Sequence, residues 1–173
     1  HFHSQEVNRS RFARPRIFIA RKTNMSVPAT IGIPFFNSSS TLADAIRSVY
    51  AQSYQDWELI LADDGSSDDS LAIARQISDP RVRVISDGQN LGLAHRLNQI
   101  TSAAQGEYLI RMDADDMMHP DRIQSQLDFL KSNPGVDVVG SGIYTINSAN
   151  EPIGKRCCQT GKLTARGVLA GDM

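Results

Sequence analysis

Residues 107–116 read Glu-Tyr-Leu-Ile-Arg-Met-Asp-Ala-Asp-Asp, and residues 57–65 read Trp-Glu-Leu-Ile-Leu-Ala-Asp-Asp-Gly. Each is a short apolar run halted by paired aspartates. Runs of this length suit buried strands, and Asp and Gly suit the turns that end them. Working outward, the same alternation repeats. Thr30 to Ile33 reads as a strand stopped by Pro34, which has no N–H for a ladder. Ser40 is placed to cap a helix carrying Leu42, Ala45, Ile46 and Val49 at helical spacing. Trp57–Ala62 is the second strand, and Leu71, Ala74 and Ile77 mark the helix after it. Arg81–Ile85 is the third strand, its Arg-Val-Arg-Val pattern suggesting one wet face and a place near an edge. Leu93, Leu97, Ile100 and Ala104 outline the next helix, and Glu107–Met112 the fourth strand. Pro120 suits the first turn of a helix with Ile123, Leu127 and Leu130, and Val136–Gly140 reads as a fifth strand. Past residue 145 no element is predicted.

Strand–helix alternation at this spacing implies right-handed βαβ units. The expected fold class is α/β: a mainly parallel open sheet with helices on both faces. Loops that follow the strands then share one rim, where open sheets of this kind bind ligands. Both aspartate groups fall at that rim.

The 173 residues carry 18 Lys and Arg against 19 Asp and Glu, which excludes the basic surplus of a nucleic-acid binder. Fifteen of those acids are Asp and only four Glu, and seven Asp sit in two groups: Asp63, Asp64, Asp68 and Asp69, then Asp113, Asp115 and Asp116. Asp disfavours helix interiors and favours turns, caps and hard-metal sites, so the skew points to loops that hold something. No apolar run approaches the roughly 18–20 residues of a membrane span. Cys157 and Cys158 form no CxxC pair or disulfide framework and read as inert, which fits a reducing compartment. His1, His3, His95 and His119 show no zinc-ligand spacing.

Residues 1–24 hold Arg9, Arg11, Arg14, Arg16, Arg21 and Lys22 against Glu6, a net of +5 that leaves −6 on the rest. This head lacks the apolar stretch of a secretory signal. It is expected to be translated upstream sequence with Met25 the natural start, an organellar transit peptide or basic arm being the alternative. A chain that opens on His is expected to be a fragment or a processed product.

Asp113-Ala114-Asp115 could direct two carboxylates at one divalent cation, and oxygen-only ligands favour Mg²⁺ or Mn²⁺. Such ions bridge carboxylates to a substrate's phosphates. The competing reading is a solvated acidic turn, with Asp116 capping the next helix. Asp63-Asp64-Gly65-Ser66 could accept hydrogen bonds from a nucleobase or ribose, or be an ordinary Asp-Gly turn, with Ser67-Asp68 capping a helix. In Asn90–Asn98 a glycine, Gly92, lets a ligand approach the backbone, and His95 or Arg96 could reach a diphosphate. Taken alone, either side chain reads as a surface residue of an amphipathic helix. Phe36, beside Pro34 and Asn37, could wall a base-binding slot or simply pack, and His119 is a turn residue.

Four segments together carry a resemblance: Ile31-Gly-Ile-Pro-Phe-Phe-Asn37; Ser48-Val-Tyr-Ala-Gln-Ser-Tyr-Gln-Asp-Trp-Glu-Leu-Ile-Leu-Ala-Asp-Asp-Gly-Ser66; Asn90-Leu-Gly-Leu-Ala94; and Gly106-Glu-Tyr-Leu-Ile-Arg-Met-Asp-Ala-Asp-Asp116. In this order and spacing they resemble family 2 glycosyltransferases of the GT-A fold, from about Ala29 to Ser141. The resemblance implies that Asp64 contacts the nucleotide base with Asp63 beside it, and that Pro34, Phe36 and Asn37 line the nucleotide site. It places Asp113 and Ala114 at the nucleotide-sugar, with Asp115 and Asp113 holding the metal. Gly92 and Arg96 are counted with the nucleotide-sugar site on the reading of Asn90–Asn98 given above. Arg122 matches a basic position that follows the motif. The family's usual first-loop aromatic is Tyr, and Phe36 keeps the ring without the hydroxyl.

The resemblance further implies transfer of a sugar from a nucleotide-diphosphate donor, first of all a UDP-sugar, to a saccharide or lipid-linked acceptor. That transfer is metal-dependent and inverting, and serves cell-envelope polysaccharide synthesis. The catalytic base is expected beyond Met173; of the acids in range, Glu151 and Asp172, neither has the family's context. The expected organisation is a basic extension over 1–26, disordered or non-native, a nucleotide-sugar-binding domain over 27–145, and the start of an acceptor-side region over 146–173. Such a piece is expected in the cytoplasm or peripheral at the inner membrane face, binding nucleotide yet turning over poorly. The alternatives are a nucleotide-binding or assembly module without activity, and a phosphatase of the haloacid-dehalogenase type. The latter wants Thr or Val where Met117 stands.

Overall fold

The computed structural model describes residues 29–147, 149 and 151–156. The predicted head, both cysteines and Asp172 lie outside them. The elements run β1 (Ala29–Phe35), α1 (Leu42–Tyr50), β2 (Trp57–Asp63), α2 (Ser70–Arg75), β3 (Val82–Ile85), α3 (Leu93–Ala103), β4 (Tyr108–Arg111), α4 (Arg122–Ser132), β5 (Ile143–Ile146) and β6 (Pro152–Arg156). Two compact units emerge, one from residues 29–39 and 56–113, the other from 40–55 and 114 onward.

The first unit is a parallel sheet in the order β3-β2-β1-β4. All seven residues of β1 and all seven of β2 are buried, as continuous apolar runs in a parallel sheet require. β3 stands at the expected edge with every residue half-buried. The helix α3 packs on β1 and β2. Gly32 makes that approach possible, since a Cβ there would lie 2.5 Å from Ile100 Cγ2. Ile60, Ala62 and Ile100 form the core under this helix, with Ile85 and Ala103 against it.

A buried polar network closes the same face. Glu58, 5% exposed, accepts hydrogen bonds from Thr30 Oγ1 (2.6 Å), the Gln105 N–H (2.6 Å) and Arg83 Nη2 (2.8 Å). Arg83 also donates to the Ala103 carbonyl at 2.7 Å, and the Gly106 N–H donates to Thr30 Oγ1 at 2.8 Å. A buried carboxylate is tolerable only with its acceptor sites filled. Here the donors that fill them also pin the α3–β4 connection.

Pro34 does not stop β1, which continues to Phe35 in register with β2 as far as Phe35↔Asp63. The reason lies in which edge the proline faces. The Gly32 carbonyl accepts the last β4-side bond, from the Met112 N–H at 3.1 Å, whereas the Phe35 carbonyl accepts Asp64 N–H on the β2 side at 2.8 Å. Strand residues alternate their hydrogen-bonding edge, so Pro34 shares that of Gly32. Its missing N–H therefore falls where β4 pairing has already ended.

In the second unit, α1 buries the expected Leu42, Ala45, Ile46 and Val49, but its cap position is Thr41 rather than Ser40 and has no side-chain cap bond. Gln52, 2% exposed, links α1 to the entry of α4. Its amide donates to Ser48 O (3.1 Å) and His119 O (2.9 Å), and its carbonyl accepts the Ile123 N–H (3.2 Å). That last contact satisfies one of the N–H groups a helix start leaves without partners. Asp121, not Asp116, holds the α4 cap position, again without a side-chain bond.

The fifth strand expected over Val136–Gly140 is absent: those residues are irregular, and Val138 is 82% exposed. An apolar run becomes a strand only when a neighbour supplies ladder bonds, and none of the described strands pairs with it. Beyond it, β5 and β6 form an antiparallel hairpin that apolar periodicity had not revealed. Glu151 sits in its turn, where its N–H donates to Asn147 Oδ1 and its carboxylate accepts from Asn147 Nδ2. No helix among the described residues is long and apolar enough to cross a membrane.

Candidate functional site

Strand order reverses between β1 and β4: the chain steps outward through β2 and β3, then returns to the far side of β1. Open α/β sheets bind ligands at such a reversal, outside the carboxyl ends of the strands. The loops after β1, β2, β3 and β4 supply the residues there.

The first two loops are stitched together. Asn37, the only described non-glycine residue with positive φ (48°), donates its N–H to Ser66 Oγ (3.1 Å), and its Oδ1 accepts the Ser67 N–H (2.8 Å). The Ser38 N–H donates to Ser70 Oγ (2.7 Å), and the Ser39 N–H to Asp68 Oδ2 (2.9 Å). Asp68 also accepts the Ser70 N–H and hydroxyl, and these bonds, the Ser70 hydroxyl first, hold its carboxyl well below the usual range. Asp68 thus ties loop to loop, while Asp69 takes the α2 cap position without a side-chain bond. Asp63, 1% exposed, accepts the Ser66 N–H (2.9 Å) on one oxygen and the Ser86 hydroxyl (2.8 Å) on the other, so it shapes the turn. Phe36 stands 47% exposed at the end of β1, its ring open to a stacking partner.

Asp64 is the centre of the arrangement. It is 7% exposed, and its Oδ1 accepts the Leu91 N–H (2.9 Å), the Gly92 N–H (3.1 Å) and Arg96 Nε (2.9 Å), while Oδ2 accepts the Gly92 N–H (3.0 Å). Burial pushes the carboxyl up, but the bonds from Leu91, Arg96 and Gly92 outweigh it, and the pKa ends below the ordinary value. Arg96 is completely buried, neither a surface residue nor one with an N–H to spare for a diphosphate. Nε donates to Asp64; Nη1 donates to Asp87 Oδ2 (2.9 Å) and Gln99 Oε1 (2.8 Å); Nη2 donates to Asp87 Oδ1 (2.7 Å) and the Gln89 carbonyl. All five guanidinium donors are engaged. The ion pair to Asp87, followed by that to Asp64, raises the Arg96 pKa against the opposing effect of burial. The helix pattern had marked Leu93 for burial, yet Leu93 is 49% exposed and Arg96 takes the buried position beside Ile100. An arginine whose partners lie 9 and 32 residues away leaves no trace in apolar periodicity.

Arg96 first, then the Gln89 N–H, lowers the Asp87 carboxyl as well. Both aspartates therefore protonate in the unfolded chain before they do in the folded one. The unfolded state binds more protons as pH falls, so the stability these carboxylates contribute is complete above the unfolded pKa of about 3.9 and is lost below it. Urea midpoints measured between pH 3 and 7 should be flat down to about pH 5 and then fall. The fall should be shallower in Asp87→Asn, and an unchanged slope would remove Asp87 from the account.

At the end of β4, Asp113 is held by a forked pair from Arg111, whose Nη2 lies 2.8 and 3.1 Å from the two carboxylate oxygens. Ala114 is buried and Asp115 exposed. Among the described residues no group of three His, Cys, Asp or Glu side chains could hold a metal unaided. The donor set of residues 113 and 115 is oxygen-only and short of a full shell, which fits a hard cation completed by phosphate oxygens and water. Arg122 is depressed by burial, with Asp116 opposing, so Asp116 acts on Arg122 electrostatically.

The family described as Glycosyl transferase family 2 matches residues 30–161. The chain is 38% identical over 127 residues to EpsE of Bacillus subtilis (strain 168), covering 72% of this chain and 46% of EpsE. It is 29% identical over 126 residues to the UDP-Glc:alpha-D-GlcNAc-diphosphoundecaprenol beta-1,3-glucosyltransferase WfgD of Escherichia coli, covering 73% of this chain and 49% of that one. Among solved structures, the mannosyltransferase PcManGT of Pyrobaculum calidifontis, in complex with GDP-Man and Mn²⁺, shares the fold with a TM-score of 0.56 at 21% identity, over 68% of this chain and 35% of that chain. The chain spans about half the length of these two relatives.

Proposed function

The chain belongs to glycosyl transferase family 2, and from that premise we propose that it is the donor-binding part of an inverting, divalent-metal-dependent glycosyltransferase. It takes a nucleotide-diphosphate sugar, a UDP-sugar first, and serves a saccharide or lipid-linked acceptor. The observation that carries this reading is Asp64, an ionised acceptor fixed by two backbone N–H groups and a buried arginine at the carboxyl end of β2. A carboxylate with no proton of its own selects a base that offers an N–H, such as the imide of uracil or the amide edge of guanine. Phe36 supplies a face on which that base can stack.

Asp113 and Asp115 would hold the cation, which neutralises charge developing on the departing diphosphate. Asp113 is paired with Arg111 at the surface, an exposed pair whose separation costs little. No base for the acceptor's proton is assigned among the described residues; Glu151 is bonded to Asn147 within its hairpin turn.

Calorimetric titration with UDP in Mn²⁺ tests the reading. The unaltered chain is expected to bind with an affinity that chelation lowers at least tenfold, and Asp115→Ala is expected to lose that metal-dependent part. Equal metal-dependent binding by both proteins would remove Asp115 from the metal site.

A further inference from the structure

We propose that Asp87 is a positioning residue for base recognition: by occupying the fork of Arg96, it leaves Asp64 Oδ2 open to the nucleobase. The inference rests on the reading of Asp64 as the base acceptor and goes beyond it to a residue that never touches the ligand.

The argument is one of counting donors and acceptors. Arg96 offers five N–H groups and cannot lose its charge at any accessible pH. Two of them, one from each terminal nitrogen, go to the two oxygens of Asp87 in an end-on fork at 2.9 and 2.7 Å. Gln99 and the Gln89 carbonyl take the other two terminal donors. Only Nε is left for Asp64, and it reaches Oδ1 alone. Asp64 Oδ1 is saturated by three donors, whereas Oδ2 accepts only the Gly92 N–H and retains a lone-pair site. The contacts are thus divided unequally between the two oxygens, and Asp87 is what keeps them so.

Without Asp87, two guanidinium N–H groups of a buried arginine lose their acceptor. The remaining carboxylate in contact is Asp64, and arginine pairs with a carboxylate most strongly through two parallel bonds. The Nη2 N–H that runs parallel to Nε is held by the Gln89 carbonyl, and Asp87 fixes Gln89 through its backbone N–H; once that hold is lost, this is the proton that would fill Oδ2 and close the site a base N–H would use. The loop would loosen as well, because Asp87 Oδ1 also accepts the Gln89 N–H at 3.0 Å. Asp87 keeps 36% of its side chain exposed, so its replacement leaves no deeply buried cavity.

The experiment compares two ligands in Mn²⁺ by calorimetry: UDP, and ribose 5-diphosphate, which keeps the diphosphate but has no base. The unaltered chain is expected to prefer UDP. Asp64→Asn should erase that preference; if it does not, the base reading of Asp64 falls and the inference falls with it. Given that reading, Asp87→Asn is expected to weaken UDP about tenfold, the loss of one hydrogen bond to a charged acceptor, and to leave ribose 5-diphosphate unchanged. Asp87→Glu, which keeps the fork, should recover most of the loss. An Asp87→Asn protein with full preference for UDP overturns the proposal while leaving Asp64 in place. Equal weakening of both ligands overturns it too, since that is what a scaffold residue would do. Should Asp87→Asn not fold, Asp87→Ser also removes the fork, and a UDP preference unchanged in that variant is equally fatal.

Discussion

Arg96→Ala is expected to lower the free energy of unfolding by about 3–5 kcal/mol, a fall in melting temperature of roughly 6–20 °C for a chain of this size. Removing one partner of a buried ion pair leaves the other charged and poorly solvated, which costs far more than the pair itself contributes. Here the abandoned partner is Asp64, 7% exposed. Its two backbone donors, Leu91 and Gly92, remain and hold the effect toward the lower end. Asp87 is half in solvent and rehydrates easily. The assignment of cause is checked with a double variant. Asp64→Asn removes the stranded charge, so Arg96→Ala combined with Asp64→Asn should be more stable than the sum of the two single losses predicts. Additive losses would mean that Arg96 stabilises by packing alone.

Gly65→Ala is expected to cost about 2–4 kcal/mol and to weaken UDP binding together with stability. Gly65 has φ +75°, and a Cβ there would lie 2.8 Å from Gln89 C, 2.9 Å from Asn90 N and 3.0 Å from Gln89 O. Those are backbone atoms with no rotamer to retreat into, so residues 89–92 must move, taking the Leu91 and Gly92 N–H groups from Asp64. Gly88→Ala is the control. Its φ is +73° but nothing stands within 4 Å, so it carries the left-handed penalty of about 1–2 kcal/mol without the collision. Denaturation and UDP titration of the pair separate the two causes. If both variants lose the same stability and neither loses binding, the clash is relieved without moving the loop.

The sheet could be read from sequence because each of its strands is written locally. β1 and β2 are unbroken apolar runs, β3 alternates Arg with Val, and each of the four strands appears within a residue or two of its expected place. The helix α1 was legible for the same reason, its four buried positions lying on one face. The failures share a physical form: in each, the deciding partner is far along the chain. Val136–Gly140 has apolar residues but pairs with none of the described strands. Arg96 looks like a solvent-facing residue until Asp64 and Asp87 are brought beside it. The aspartate surplus was only partly a ligand signal. Asp63 and Asp68 use their carboxylates on neighbouring backbone and hydroxyl groups, whereas Asp64 keeps an acceptor position open. Residue type and spacing cannot separate those two uses; a count of donors can.

Pro34 has a bearing on where the sheet stops. Past Gly32, β4 cannot zip further along β1, because the next rung would need an N–H that proline does not have. Beyond Gly32, β1 is therefore laddered to β2 alone, and the turn that carries Asp64 is anchored there through the Phe35 carbonyl.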